Sequence, residues 1–142
     1  MAAEEQKAMA LQAFAAFNRS DLDTLFSFFD PACCYPDPSP SAPAFPSTLQ
    51  GHQQFLSALI STFTERSSTL EMVIAEGDRV MAWVTVHATP TGPWRHLPAT
   101  NKRASFRGVE CFRLAQGKVV EHRFLFDTFG ALQQIGALPQ YG

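Results

Sequence analysis

Apolar positions recur with a helical period near the start of the chain. Met9, Ala10, Ala13, Phe14 and Phe17 share one face, so the spacing predicts an amphipathic helix over residues 3–18. Asn18-Arg19-Ser20-Asp21 interrupts it, and a second short helix follows with Ser20 or Asp21 as its N-cap and Leu22, Leu25, Phe26 and Phe29 as its buried stripe, ending at Pro31. Cys33-Cys34-Tyr35 reads as a short strand. A third helix is expected from about Gly51 to Thr64, with Phe55, Leu56, Leu59, Ile60 and Phe63 on one side. Beyond it the period changes to two, and strands are expected at 69–76, 79–89, 104–114 and 118–127, closed by a short helix over 129–136. Helices first and a run of antiparallel strands after them define an α+β arrangement in one domain spanning residues 1–142. The sheet is expected to curve around the helices and leave an apolar pocket between them.

The segment RGVECFRLAQGKVVEHRFLFD, residues 107–127, forms a hairpin with ionisable residues in its apolar series. Phe106, Gly108, Glu110, Phe112 and Leu114 share one parity; Val120, His122, Phe124 and Phe126 share the other strand's. A three-residue turn, Ala115-Gln116-Gly117, sets Glu110 across from His122, Phe112 from Val120, Gly108 from Phe124 and Phe106 from Phe126. A two-residue turn would set Glu110 across from Arg123 and Phe112 across from Glu121. Matching apolar faces favours the three-residue turn. Glu110 and His122 then form a candidate acid/base pair, because a lone carboxylate among aromatics would cost several kcal/mol or stay protonated.

Two proline-rich or polar stretches break the pattern. PDPSPSAPAFP holds half of the chain's ten prolines and reads as a stiff loop, either a surface connection or a lid over a cavity mouth. TPTGPWRHLPATNKR is a long excursion in which Trp94 and His96 are candidate cavity borders. Tyr35 and Asp37 share a parity that suits them to bind a substrate oxygen, and Asp127 is a candidate cap for the last helix. Trp83 and His87 share a strand face with Met81 and Thr85, which is either pocket or interface. Cys111 has the wrong parity to pair with His122 as a nucleophile, and Cys33 and Cys34 suit packing.

Composition narrows the function classes. Thirteen phenylalanines among 142 residues suit a dense core or an apolar cavity, and a formal charge of −2 with no basic run gives no reason to expect nucleic acid. No apolar run reaches membrane-span length, and the acidic start is unlike a signal peptide. Three cysteines, two adjacent, suggest reduced thiols and a cytoplasmic protein. The four histidines lack metal-ligand spacing, and no phosphate loop or nucleophile elbow occurs, so acid/base chemistry without a cofactor is expected.

FNRSDLDTLFSFFDP, GHQQF, AEGDRV, GKVVEHR and LQQIGALP together resemble the SnoaL-like polyketide cyclases of the nuclear-transport-factor-2-like (NTF2-like) superfamily. The resemblance implies a cone-shaped fold of three N-terminal helices on a strongly curved, mostly antiparallel sheet around an apolar pocket. It also implies a homodimer through the outer sheet face and cofactor-free aldol cyclisation by an aspartate on the last strand. That aspartate's position is Phe124 here; the family's histidine on the preceding strand falls at Glu110, His122 is retained, and a polar residue of the first strand falls at Tyr35. The expected enzyme acts on a hydrophobic polyketide-like or polycyclic carbonyl compound, by cyclisation or isomerisation. Glu110 and His122 would be catalytic, and Tyr35, Asp37, Trp94, Phe106, Phe112, Phe124 and Phe126 would bind the substrate. A non-catalytic binder of a hydrophobic small molecule, or an interaction module with a filled core, are the other readings.

Overall fold

The structure, a computed structural model, describes residues 1–37, 45–93 and 97–138. Trp94, His96 and most of the proline-rich loop lie outside the described residues. Among the described residues, four helices and five strands follow in the order α1 (Ala3–Asn18), α2 (Leu22–Ser27), β1 (Phe29–Cys34), α3 (Leu49–Thr62), β2 (Glu65–Glu76), β3 (Arg79–Thr89), β4 (Ala104–Ala115), β5 (Lys118–Phe126) and α4 (Thr128–Gln134). The five strands form one sheet in the order β1-β5-β4-β3-β2, antiparallel except for the β1–β5 pair.

The helix starts follow from their caps. Asp21 accepts from the Thr24 N–H, Thr48 from Gly51 and Asp127 from Gly130. Each satisfies a backbone donor that has no partner within its helix, an effect of about 1 kcal/mol. Asp127 is thus the predicted cap.

Three expectations are corrected. The second helix stops at Ser27, so Phe29 begins a strand, and Pro31 sits inside β1 without ending a helix. Proline is tolerated there because β1 is an edge strand, with β5 on one side only. Strand β2 begins at Glu65, four residues before the apolar alternation, because Arg66, Ser67 and Ser68 carry no hydrophobic signal. Ser68 is held by Asn18 at the end of α1, whose amide exchanges two 2.8 Å hydrogen bonds with the Ser68 backbone.

The third correction is the hairpin register. Ala115 pairs with Lys118 across a two-residue turn, and Gln116 and Gly117 both adopt positive φ, 53° and 77°. That is the primed turn whose twist suits a hairpin. A bulge at Val120 then inserts one residue into β5, so Leu114 pairs with Val119 but Arg113 with Glu121. Glu110 lies across from Phe124, Phe112 from His122 and Gly108 from Phe126. The extra residue restores the matching of apolar faces that the turn alone would have lost, so the shared face was right and the individual partners were each displaced by one pair.

The core lies between α1 and the sheet. Met9, Ala10, Ala13 and Phe14 of α1 cluster with Val80, Ala82 and Val84 of β3 and with Phe112, Leu114 and Val119 of the hairpin. Phe14 meets Phe112 edge-on, with ring centroids 6.5 Å apart. Gly108 admits a ring beside it: a Cβ there would come within 2.0 Å of Phe126. No helix among the described residues is long and apolar enough to cross a membrane.

Candidate active site

The hairpin presents Glu110 and His122 to the helical side of the sheet. Their side chains meet, with His122 Nε2 2.8 Å from Glu110 Oε1. They are diagonal neighbours across β4 and β5, within reach because both side chains are long. His122 is 2 % exposed, and Glu110 retains 15 % of its side-chain surface. With the carboxylate as acceptor, Nε2 carries the proton. Nδ1 is buried without a hydrogen-bond partner among the described residues.

Rings enclose His122. Phe112 stacks on it at 4.8 Å with an interplanar angle of 6°, and Phe124, Tyr35 and Phe29 stand at 5.2, 5.5 and 5.8 Å. A second imidazole, His52, lies 5.1 Å away. Tyr35 OH and His52 Nδ1 are 2.6 Å apart. Burial, and after it the Cys33 thiol and the Glu110 carboxylate, push the Tyr35 phenol far above its usual range, so the hydroxyl keeps its proton and donates. Burial and the neighbouring His122 hold the His52 imidazole well below its ordinary 6.5. His52 is therefore neutral, with Nδ1 accepting from Tyr35 and the proton on Nε2.

Sequence reasoning missed His52, although its signal was present. His52 continues the stripe of Phe55, Leu56 and Leu59 backwards by one turn, so a polar residue heads the apolar face of α3. The capped first turn of α3 carries it between Phe26 and Phe29, at 5.1 and 5.7 Å.

A half-open cleft of about 40 Å³ ends on this cluster, lined by Tyr35, Asp37, Phe45, Gly51, His52, Phe55 and Phe124 among others. Glu110 and His122 do not line it; they stand in the next layer, behind His52 and Phe124. The other predicted site residues divide. Phe112 is buried beneath His122, while Phe106 and Phe126 meet each other at 6.3 Å beyond Phe124. Asp37 borders the cleft, but its exposed carboxylate accepts from Arg123 Nε at 3.0 Å. Cys33 is a packed thiol whose pKa burial pushes up to about 11. Trp83 and Cys111 lie on the opposite face of the sheet. Among the described residues no three His, Cys, Asp or Glu side chains are grouped to hold a metal ion.

An α+β fold with helices before a mixed five-strand sheet, and a polar pair buried in its hairpin, defines a recognisable class. The profile of the SnoaL-like polyketide cyclase family matches residues 8–135, and the chain belongs to that family. It is 27 % identical over 123 residues, 86 % of this chain and 90 % of the relative, to a nogalonic acid methyl ester cyclase of Streptomyces nogalater. Among solved structures it resembles AclR, a candidate hydroxylase from Streptomyces galilaeus, with a TM-score of 0.87, 28 % identity and coverage of 97 % of this chain and 100 % of that one. TsrD from Streptomyces laurentii is similar at a TM-score of 0.84 and 25 % identity, over 97 % and 99 % of the two chains. An NTF2-like protein from Burkholderia pseudomallei shares the fold at a TM-score of 0.75 and 19 % identity, over 92 % and 97 %.

Proposed function

We propose that the protein is a cofactor-independent enzyme that cyclises or isomerises a hydrophobic, polyketide-like carbonyl compound, with Glu110 and His122 as its acid/base pair. The observation that carries this reading is the 2.8 Å contact between the two, set among aromatic rings. In a cyclisation, the Glu110 carboxylate takes a proton from the carbon beside a carbonyl. The carbanion attacks a second carbonyl of the same molecule, a C–C bond forms, and the alkoxide recovers the proton. His122 orients the carboxylate and shares that proton. Atoms balance without an oxidant or a second substrate. A polycyclic substrate needs a few hundred Å³, so binding widens the apolar pocket from the cleft at His52 and brings Phe106, Phe124 and Phe126 against the ligand, with Phe112 supporting His122 from below. The outer sheet face pairs two copies.

The test is turnover of nogalonic acid methyl ester, the compound in the name of the Streptomyces nogalater relative, followed by mass spectrometry. Glu110→Gln keeps an acceptor for His122 and removes the base, so product formation is expected to fall by 10²-fold or more. Full turnover by a folded Glu110→Gln variant would overturn the assignment. A second reading, a non-catalytic binder of a hydrophobic small molecule, is favoured by Phe124, which places an apolar ring where the family resemblance sets an aspartate. Tight binding without product by the wild-type chain selects it.

A further inference from the structure

The acid/base pair is one layer removed from the cleft, and different polar groups line the cleft itself. We propose that His52 is the group that binds the substrate's carbonyl oxygen, donating a hydrogen bond from Nε2 while Tyr35 fixes its tautomer. The inference rests on the acid/base reading of Glu110 and His122 and adds the electrophilic half of the site.

Four observations support it. His52 and Tyr35 line the cleft, whereas Glu110 and His122 do not. The 2.6 Å bond from the Tyr35 hydroxyl occupies Nδ1 and leaves the N–H of the imidazole on the other ring nitrogen. His52 stands 5.1 Å from His122 and 6.4 Å from Phe124, whose rings flank it. An oxygen held by His52 is therefore brought beside the layer that contains Glu110. Finally, the imidazole stays uncharged through burial. A neutral donor strengthens its bond as negative charge develops on the oxygen of an enolate, and it does not neutralise the nearby carboxylate beforehand.

In the pocket that the ligand widens from the cleft towards Glu110, the chemistry then has two separable parts. Glu110 removes the proton from carbon, and His52 stabilises the oxygen that receives the charge; no proton need leave His52. Tyr35 is a positioning residue, since it acts through His52. Phe124 supplies the apolar wall against which a planar ligand rests.

The test uses binding and needs no turnover, so its failure is distinct from failure of the acid/base pair. The probes are 2-naphthol and naphthalene, which share a ring system and differ by one oxygen. The wild-type chain is expected to bind 2-naphthol the more tightly, and His52→Leu to lose about tenfold of that affinity, the worth of one hydrogen bond, while naphthalene binding is unchanged. His52→Gln, which offers an amide N–H near the same place, should restore most of the difference. Nitrogen-15 NMR of labelled wild-type protein should show the Nε2–H tautomer of His52, and Tyr35→Phe should mix in the other one. Equal loss of both probes in His52→Leu, no preference of the wild type for the naphthol, or an Nδ1–H tautomer would each overturn the proposal.

Discussion

His52 is held half-buried as a neutral base, and that has a thermodynamic consequence at the scale of one residue. In the unfolded chain its imidazole takes up a proton near 6.5, whereas in the fold desolvation and then His122 delay protonation to lower pH. Between the two values the unfolded state binds more protons, so stability rises with pH across that window. The contribution is complete above about pH 6.5 and is lost as the pH falls towards the folded value. Thermal denaturation from about pH 7 to pH 5 should show a falling Tm, and His52→Gln should flatten that fall; parallel curves would remove His52 as its cause. Glu121 does not interfere, because its hydrogen bond from Arg113, against an opposing effect of desolvation and with help from Arg79 and Arg123, holds its carboxyl below the ordinary 4.5. A second prediction concerns Gly108, where the Phe126 ring occupies the space of a side chain. Gly108→Ala is expected to cost about 1–3 kcal/mol in denaturant unfolding, the usual range for overpacking. A smaller cost would mean that the ring swings aside freely.

At the scale of the element, the hairpin decides which residues meet. Its turn is legible in outline, because Gly117 marks a reversal, but the bulge at Val120 is not. Nothing in GKVVEH distinguishes a regular strand from one with an extra residue, since Val119 and Val120 are both apolar and β-branched. The face shared by Glu110 and His122 was readable because apolar matching allows one solution; the partners were not, because two different turns reach the same matching. Pro31 misled for a related reason: it stops helices and central strands, yet an edge strand accepts it, and edge position is a property of the whole sheet. His52 escaped notice because a polar residue at the head of an amphipathic helix usually faces solvent. The turn itself can be tested. With φ positive at 53°, Gln116 occupies a conformation that asparagine adopts more readily. Gln116→Asn is expected to stabilise the protein by about 0.5 kcal/mol, measured by chemical denaturation, whereas no gain is expected if Gln116 were the middle of a three-residue turn.

At the scale of the whole molecule, the alternation along β3 and β4 builds two faces at once. Ala82, Glu110 and Phe112 point towards the helices, while Met81, Trp83, Val109 and Cys111 point away. Cross-strand pairs align Met72 with Trp83, Trp83 with Val109, and Val109 with Leu125. Met72, Trp83 and Leu125 are 56, 45 and 69 % exposed, so an apolar stripe crosses the sheet where solvent would otherwise lie. At its border Glu121 gathers Arg79, Arg113 and Arg123 at 3.4, 3.1 and 2.7 Å. An apolar centre with a charged margin has the anatomy of a protein interface. The proposed homodimer covers this stripe, and a charge at its centre would have to be desolvated without a partner on association. Trp83→Asp combined with Leu125→Asp should therefore yield a monomer in sedimentation equilibrium, with a wild-type circular dichroism spectrum. Because the substituted side chains leave the sheet on the far side from Glu110, the monomer should retain binding of small ligands at the cleft. A wild-type chain that sediments as a monomer up to about 100 μM, well above the range of stable dimers, would overturn the pairing. Loss of cleft binding on dissociation would instead mean that the two faces of the strands are coupled, with the partner copy holding the hairpin in the register that brings Glu110 to His122.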